Sequence, residues 1–407
     1  MPELHLLSPA GFRAAGVYAG IKSKHAPDVG LLLADGLAAA AAVFTTNRVF
    51  AAPVKVGRAH VKSGRLRGVV VNAGNANACT GKQGERDALR MCDIAASVAG
   101  AGAKRAHILP SSTGIIGHPL PMPKLERGIV EAGQYLGRSR EHALLFADAI
   151  LTTDLVRKSA AARFKIGRQT VTLAGVCKGS GMIGPRMSLK GPPQATLLAY
   201  LTTDAAVAPA LLRKLLGQAT DASFNAVTVD GHTSTNDTAC LLASGASGAT
   251  VGAARDARAF ADALDEVCRS LAHQIALDGE GATRVVAITV RRATSAGAAR
   301  AMARAIASSP LVKSAMHGND PNWGRIVSAA GYAGVPFDAD RCALTLQGTP
   351  VFRAGRPLPI DAAAVSASLN AKDVIVDLDC RAGTGSATVW TCDLSKEYVT
   401  INADYHT

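Results

Sequence analysis

Hydrophobic residues follow two spacings along the chain, and these spacings predict strands and helices in most regions. Apolar runs in DVGLLLADGLAAAAAVF (28–44) and LRGVVVNAGNANACTG (66–81) are typical of buried strands, and the second run ends in a loop of small residues. RFKIGRQTVTL (163–173) predicts a hairpin, because two strand-like runs flank a two-residue turn that contains glycine. Further strands are predicted for RVVAITV (284–290), DVIVDLD (373–379) and SATVWTCD (386–393).

Helices are predicted where apolar residues recur every three or four positions. One such helical face consists of Phe260, Leu264, Val267, Leu271 and Ile275. GERDALRMCDIAASVAG (84–100) has the same periodicity, as does SAGAARAMARAIAS (295–308), where Ser295 is a candidate N-cap. Because strands and helices interleave without a regular βαβ repeat, we expect a layered α+β fold. We place a large catalytic domain at residues 1–280 and a smaller one at 281–407.

The composition narrows the class of protein. The 407 residues are 48% hydrophobic but only 4% aromatic, so Ala, Val and Leu must form most of the core. The net charge of +13 comes from Lys and Arg residues scattered in ones and twos, without interleaved aromatic residues, which argues against nucleic-acid binding. A solvated basic surface, or attraction for small acidic substrates, is the better interpretation. No apolar stretch is long enough to predict a membrane span.

The eight cysteines favour a reducing compartment. They form no CxxC pair and have no histidine at metal-ligand spacing, so we expect reduced, mostly buried thiols and no metal site. The segment MPELHLLSPAGFRAAG is interrupted early by Pro and Gly, which is not the pattern of a targeting peptide. We therefore expect a cytoplasmic protein that needs no cofactor.

The candidate chemistry centres on CKGSGMIGPRMSLKGPPQATLLAYLTTDA (177–205). Its KGSG is not a P-loop, because Lys178 precedes the glycines rather than following them, and an ordinary glycine turn is the alternative. At the border between the Gly- and Pro-rich loop and the apolar run LLAYL lies the bond between Ala195 and Thr196. Cleavage there would make Thr196 an N-terminal nucleophile whose own α-amino group acts as base. A buried threonine at the start of a strand is the plainer alternative.

Two other segments carry groups that catalysis could use. In SSTGIIG (111–117), the hydroxyl of Thr113 and the backbone N–H of Gly114 could converge on an oxyanion, although such strings more often form turns or helix N-caps. In LDGEGAT, Glu280 lies in a glycine-flanked loop, where its carboxylate would bind an ammonium group or be solvated. NDPNWGR (319–325) combines turn residues with a tryptophan and predicts a packing corner.

Taken together, these segments resemble one family. The shared signatures, in chain order, are TTN (45–47), NAGNANACTG (72–81), STGIIG (112–117), TTD (152–154), KGSGMI (178–183), ATLLAYLTTDA (195–205), VDGHTSTNDT (229–238), DGEGAT (278–283), GNDPNWGRI (318–326) and INADYHT (401–407). They span almost the whole chain in the family's order. The chain therefore resembles the self-processing glutamate/ornithine N-acetyltransferases of arginine biosynthesis.

The resemblance implies roles for individual residues. The family cleaves itself before the threonine that corresponds to Thr196, which would serve as nucleophile in both self-cleavage and acetyl transfer, with an acetyl-threonine ester as intermediate. Thr113 and Gly114 match the family's oxyanion pair. The positions that match its substrate contacts are Thr152, Lys178, Thr196, Glu280, Asn402 and Thr407.

The resemblance also implies a reaction and an assembly. Acetyl would pass from N2-acetyl-L-ornithine to L-glutamate without a cofactor, and whether acetyl-CoA is a further donor stays open. The family fold is a layered α/β sandwich with a smaller C-terminal α/β domain, whose final residues return to the active site. The two fragments usually assemble as a heterotetramer with two copies of each.

The chain departs from the family pattern before the cleavage site, where SLKGPPQ (188–194) intervenes between Met187 and Ala195. An insertion in an exposed loop should be absorbed at small entropic cost. The alternative is that it impairs processing. Two other functions therefore stay open: a self-processed aminopeptidase or amidase of similar architecture, and an unprocessed, non-catalytic relative. In VDGHTSTND, His232 replaces an acidic residue common in the family, and we expect its imidazole at the surface.

Overall fold

The chain folds into two compact units in the computed structural model, which describes residues 3–188 and 197–404. The first unit contains the chain up to Asn225 together with His232–Leu271. The second contains Ala226–Gly231 and the chain from Ala272 onward. The predicted domain limit at residue 280 stays a prediction.

The described part of the first unit contains an eight-stranded mixed sheet and a small two-stranded sheet. The strands are β1 Phe12–Val17, β2 Val29–Phe44, β3 Arg65–Asn75, β4 Ile108–Ile115, β5 Lys158–Ile166, β6 Gln169–Lys178, β7 Leu198–Thr203, β8 Ala206–Val207, β9 Thr238–Ala243 and β10 Thr250–Val251. The order in the large sheet is β4-β3-β2-β9-β7-β6-β5, with β1 paired to β2, while β8 pairs with β10. The β3–β4 and β7–β9 pairs are parallel. The predicted hairpin of β5 and β6 is confirmed.

The helices of this part of the chain are α1 Ala52–His60, α2 Gly81–Ala99, α3 Met122–Gln134, α4 Arg140–Ala149, α5 Pro209–Ala222 and α6 Ala254–Leu277. The long helix α6 continues past Leu271, where the first unit ends. All five apolar residues of its predicted face are buried, which confirms the helical spacing.

Strand β2 has buried residues on both faces, which explains its continuous apolar sequence. Leu31 and Leu33 belong to a core that also contains side chains of α2 and α3. The alternate residues Leu32 and Ala34 belong to a second core, which includes Phe146 of α4. Helices therefore cover both faces of the sheet, and the predicted α+β class is confirmed.

The described part of the second unit contains a six-stranded sheet with the order β14-β13-β12-β15-β11-β16. Its strands are β11 Val285–Ala293, β12 Ala343–Leu346, β13 Thr349–Arg353, β14 Arg356–Pro357, β15 Asp373–Asp379 and β16 Gly385–Cys392. Its helices are α7 Ala296–Ala307, α8 Pro310–His317, α9 Trp323–Gly331, α10 Ala362–Ser368 and α11 Lys396–Asp404. Ser295 caps α7 as predicted, since its Oγ accepts a hydrogen bond from the Ala298 N–H at 3.1 Å.

Three smaller expectations also have structural outcomes. Trp323 stacks on Phe352 with ring centroids 5.0 Å apart, so the predicted packing corner is confirmed. His232 is exposed, as expected. All eight cysteines lie in the described part of the chain with free thiols, and all but Cys79 are buried, which confirms the expected buried thiols. Among the described residues, no helix combines the length and apolar character that a membrane span requires.

Candidate functional site

Strand pairing aligns four residues in one row near an end of the first unit's sheet. Phe44 of β2 pairs with Thr238 of β9, Thr238 pairs with Leu198 of β7, and Leu198 pairs with Lys178 of β6. Leu198 is the second residue after Thr196 in the sequence. The register therefore places Lys178 beside the strand that follows the predicted nucleophile.

Part of the predicted site falls where the structure makes no description. Thr196 and its cleavage partner Ala195 lie outside the described residues, and so does Thr407. The same holds for all of the SLKGPPQ segment except Ser188, which forms an isolated antiparallel bridge with Phe44. The predicted roles of Ala195, Thr196 and Thr407 stay predictions.

Two predicted substrate contacts, Thr152 and Lys178, meet at the buried carboxylate of Asp154. Asp154 Oδ2 accepts a hydrogen bond from the Thr152 N–H at 3.1 Å and lies 3.7 Å from Lys178 Nζ. Asp154 Oδ1 accepts hydrogen bonds from Lys158 Nζ at 2.7 Å and from the Gly179 N–H at 2.6 Å. The side chains of Asp154 and Lys158 are fully buried, so this carboxylate compensates charge that water does not reach.

The electrostatics of this cluster are those of a carboxylate surrounded by cations. Burial alone would raise the pKa of Asp154, but the charges of Lys178 and Lys158, with the hydrogen bonds it accepts, hold that pKa below its usual range. Burial lowers the pKa of Lys22 to about 8, although Asp28 and Asp154 favour its charged form. The charged form of Asp154 is thus favoured, while the charge of Lys22 is stabilised less than that of an ordinary lysine.

The predicted oxyanion pair, Thr113 and Gly114, lies at the end of β4. The hydroxyl of Thr113 is buried, and Thr113 Oγ1 has no hydrogen-bond partner among the described residues. Gly114 has a φ of +129°, and a Cβ added to it would lie 2.3 Å from the carbonyl carbon of Gly74 on the paired strand β3. SSTGIIG is therefore the end of a parallel strand and its exit, not a helix N-cap, and within the described part of the chain the Thr113 hydroxyl has no hydrogen-bond partner.

A network of amide side chains supports this strand end. Ser112 Oγ donates to Asn72 Oδ1 at 2.7 Å, and Asn72 Nδ2 donates to the carbonyl oxygen of Asn75 at 2.9 Å. Asn236 Nδ2 donates to the carbonyl oxygens of Ala76 at 2.6 Å and Ser112 at 2.8 Å. These bonds fix the backbone beside Thr113 from two sides.

Asp237 is another buried acid of this unit, and its pKa is shifted in the direction opposite to that of Asp154. Its side chain is fully buried, and neither carboxyl oxygen has a partner of good geometry among the described residues. The hydroxyls of Ser234 and Thr45 lie nearby, but Thr45 donates to the Ser234 carbonyl oxygen at 2.6 Å. Burial raises the pKa of Asp237 well above its ordinary value, against the opposing effects of these hydroxyls and of Lys178. Burial therefore favours the neutral form of this acid.

The remaining predicted contacts, Glu280 and Asn402, lie together in the second unit. Asn402 Nδ2 of α11 donates to Glu280 Oε2 at 2.9 Å and to the carbonyl oxygen of Tyr398 at 3.0 Å. Glu280 follows α6 in the predicted glycine-flanked loop and is largely buried. The Glu280 carboxylate is thus largely buried and is held in place by the Asn402 amide.

Comparisons with known proteins agree with the order of these motifs. The ArgJ family profile matches residues 13–407. The chain belongs to the ArgJ family. The arginine biosynthesis bifunctional protein ArgJ of Symbiobacterium thermophilum is 47% identical over 98% of this chain and 98% of its own. Its counterpart in Rhodopirellula baltica is 43% identical over 99% of this chain and 97% of its own. A solved ornithine acetyltransferase from Mycobacterium tuberculosis, complexed with ornithine, is 37% identical over 45% of this chain and 96% of its own, with a TM-score of 0.41.

The ArgJ assignment confirms the resemblance and, with it, an acetyltransferase of arginine biosynthesis. Sequence reasoning nevertheless missed several residues that lie in or beside the candidate site of this ArgJ chain: Asp154, Lys158, Lys22, Asn236 and Asp237. Asp154 stands in the TTD signature, two residues after Thr152, and that proximity was the available signal. Nothing in the local sequence relates Lys158 to Lys178, since only the β5–β6 hairpin brings them to one carboxylate.

Proposed function

We propose that this ArgJ chain cleaves itself between Ala195 and Thr196 and then transfers acetyl from N2-acetyl-L-ornithine to L-glutamate in the cytoplasm. The observation that carries the proposal is the row Lys178–Leu198–Thr238 in a member of the ArgJ family. It sets a buried cation beside the strand that Thr196 precedes. A cation there suits the carboxylates of both substrates.

The proposed chemistry is two acyl transfers through one threonine. The Thr196 hydroxyl attacks the acetyl carbonyl of acetylornithine, the bond from that carbon to N2 breaks, and the α-amine of Thr196 carries the proton from the hydroxyl to the leaving amine. The glutamate α-amine then attacks the acetyl ester, the ester C–O bond breaks, and the proton returns to the Thr196 oxygen. Before either step, the same hydroxyl would attack the Ala195 carbonyl carbon, the peptide C–N bond would break, and the hydroxyl proton would pass to the nitrogen that becomes the α-amine of Thr196. Water would then hydrolyse the resulting ester to the Ala195 carboxylate and the free Thr196 hydroxyl.

The described groups can supply binding and charge stabilisation for these steps. The unpartnered hydroxyl of Thr113 and the backbone N–H of Gly114 would donate to the oxyanion of each tetrahedral intermediate. Lys178 and Thr152, both held by Asp154, would contact the substrate. In the second unit, Glu280 held by Asn402 would bind a substrate ammonium group. Thr407 would complete the substrate contacts.

The two fragments would stay associated after cleavage, because strands from both sides of the cut share one sheet. β6 precedes the cut and pairs with β7, which follows it, over six residue pairs from Leu173↔Thr203 to Lys178↔Leu198. β2 pairs with β9 in the same way, from Ala39↔Ala243 to Phe44↔Thr238. The proposed assembly contains two copies of each fragment, and light scattering of the processed protein tests that stoichiometry.

Intact mass spectrometry of the purified chain beside a Thr196→Ala variant tests the proposal. Cleavage after Ala195 gives fragments of 195 and 407 − 195 = 212 residues, in the parent protein alone. Incubation with acetylornithine alone should then add one acetyl group to the C-terminal fragment, and glutamate should remove it as acetylglutamate. Release of acetate to water at the same rate without glutamate would instead indicate a hydrolase. An intact parent chain without acetyl transfer would refute the proposal. A parallel incubation with acetyl-CoA decides whether it is also a donor.

A further inference from the structure

The segment before β9 carries an asparagine, Asn236, that connects distant strands of the first unit's sheet. Its side chain is buried, and Nδ2 donates to the carbonyl oxygen of Ala76, just after β3, and to that of Ser112 in β4. In the sheet order, β3 and β2 separate β4 from β9. The Asn236 amide therefore links the segment before β9 to β4 and to the end of β3, two strands with which β9 does not pair.

One of the two connected positions adjoins the oxyanion pair. Ser112 immediately precedes Thr113 in β4, and its carbonyl oxygen accepts the 2.8 Å hydrogen bond from Asn236. Because Ser112 Oγ also donates to Asn72, both the backbone and the side chain of this residue are fixed. Displacing Ser112 would displace Thr113 with it.

The chain that follows Asn236 contacts the residue just before β7. Two residues further on, the Thr238 N–H donates to the carbonyl oxygen of Leu197 at 2.8 Å, where β9 begins its parallel pairing with β7. Leu197 is the residue that follows Thr196. Asn236 is thus two residues from the backbone hydrogen bond to Leu197, and its side chain binds the residue next to Thr113.

The hydrogen-bonding capacity of the Asn236 side chain is used within the protein. Both amide hydrogens are directed to carbonyl oxygens, and Oδ1 accepts from the hydroxyl of Thr235. An amide can donate twice and accept at the same time, whereas a carboxylate of the same shape can only accept. The side chain has no donor left for a substrate, so its contribution is to position other groups.

We propose that Asn236 is a positioning residue that sets the oxyanion pair Thr113–Gly114 relative to Leu197 at the start of β7, the strand that follows the proposed nucleophile Thr196 in the sequence. This inference rests on the function proposed above. A misplacement of about 1 Å between reacting groups costs about 100-fold in rate. Both reactions that use the oxyanion pair, self-cleavage and acetylation of Thr196, should therefore slow together when the amide is altered.

The test compares Asn236→Asp and Asn236→Ala with the parent chain. The measured quantities are the rate of self-cleavage, the single-turnover rate of Thr196 acetylation per active site by burst titration, and KM for glutamate. Both variants are expected to lose about 100-fold in the two rates while KM changes less than about threefold. Asn236→Asp preserves the shape but places a carboxylate against two carbonyl oxygens. If Asn236→Asp does not fold, the test relies on Asn236→Ala.

Asn77→Asp is the matched control, because Asn77 is also a buried asparagine whose Nδ2 donates to a carbonyl oxygen, that of Gly84 at 2.9 Å. It should lower the melting temperature and leave the single-turnover rate unchanged. Folded Asn236 variants with parental single-turnover rates would overturn the inference, and so would a raised KM at unchanged kcat, which indicates substrate contact. A parent chain that neither cleaves nor transfers acetyl would refute the proposed function instead, so the two failures are distinguishable.

Discussion

Lys178 Nζ lies 3.7 Å from Asp154 Oδ2, and both side chains are buried. The same carboxylate accepts hydrogen bonds from the Thr152 N–H and from Lys158 Nζ. One acid therefore holds two predicted substrate contacts and compensates two buried lysines. Such an arrangement is costly to assemble in a low-dielectric interior, and removing one partner leaves uncompensated charge.

Asp154→Asn should destabilise the protein and weaken substrate binding. The variant leaves buried Lys158 without its counter-charge, which costs about 3–5 kcal/mol in the free energy of unfolding. We also expect KM to rise about tenfold with a smaller fall in kcat, because Thr152 and Lys178 lose a charge-assisted partner. Urea unfolding in a Thr196→Ala background, where the chain stays intact, measures the first effect, and steady-state kinetics measures the second. Asp93→Asn, which breaks only the exposed pair with Arg105, is the control and should change neither. Parental stability in Asp154→Asn would contradict the assigned role.

Thr113→Val should separate stability from activity. Valine has the shape of threonine without the hydroxyl, and Thr113 Oγ1 is buried without a partner among the described residues. Its removal should leave stability unchanged or slightly higher, whereas the loss of one oxyanion donor should lower kcat by about 10²–10³-fold. Thr220→Val is a matched control, because Thr220 Oγ1 of α5 is also buried and unpartnered there. If both variants keep full activity, Thr113 is not an oxyanion donor.

Gly114→Ala should abolish self-cleavage. The added methyl group would lie 2.3 Å from the carbonyl carbon of Gly74 and 2.6 Å from the backbone nitrogen of Asn75, at a φ that L-residues rarely adopt. Strands β3 and β4 would have to separate at the oxyanion pair. Gly36→Ala in β2 is the control, since a Cβ there contacts nothing within 4 Å. Mass spectrometry after overnight incubation measures the cleaved fraction of both variants. Normal cleavage of Gly114→Ala would show that self-cleavage does not require this backbone conformation.

Glu280→Gln should affect substrate binding without affecting processing. Glutamine keeps the size of the side chain and its contact with Asn402, but it loses the negative charge that would bind an ammonium group. We expect KM for glutamate to rise about tenfold to a hundredfold, since hydrogen bonds to charged groups are worth about 1.5–3 kcal/mol. Self-cleavage involves no substrate amine and should keep its rate. Exposed Glu397→Gln in α11 should match the parent protein in both assays. A parental KM in Glu280→Gln would exclude this contact.

Asp237→Asn should change the pH dependence of stability. Burial raises the pKa of Asp237 in the folded state, so the folded chain keeps a proton that the unfolded chain releases above about pH 4. The parent protein therefore loses stability as the pH rises from that value toward the folded-state pKa, by at most about 1.4 kcal/mol per pH unit. Asparagine carries no titrating proton, so the variant should gain stability over the parent as the pH increases. Melting temperatures of both proteins across this range, in the Thr196→Ala background, measure the difference, and a difference independent of pH would contradict a neutral Asp237.

Periodic segments could be predicted from the sequence because their burial follows local spacing. The five-residue face of α6 and the hairpin of β5 and β6 are examples, and so is β15, where Val374 and Val376 are buried while Ile375 is exposed. Segments whose structure depends on long-range strand pairing were harder to predict from the sequence. SSTGIIG contains turn-forming residues, but parallel pairing with β3 makes most of it a strand.

The candidate site shows the same division. The family signatures identify Lys178 and Thr152, yet no local pattern assigns Asp154 its two lysines, because the second comes from a neighbouring strand. The role of Asn236 was even less predictable from local sequence. Its partner Ser112 is separated from it by 124 residues in the sequence, and only the order of the strands brings the amide to that carbonyl oxygen.

The pairing of β6 with β7 and of β2 with β9 has a consequence for the order of events during maturation. Neither fragment contains the whole of the first unit's large sheet: residues 1–195 would expose β2 and β6 along bare edges, and residues 196–407 would expose β7 and β9. The chain must therefore fold as one molecule before it is cut. In the proposed maturation, self-cleavage would then act as a checkpoint of folding, because a misfolded copy would not release the α-amine that the proposed mechanism requires.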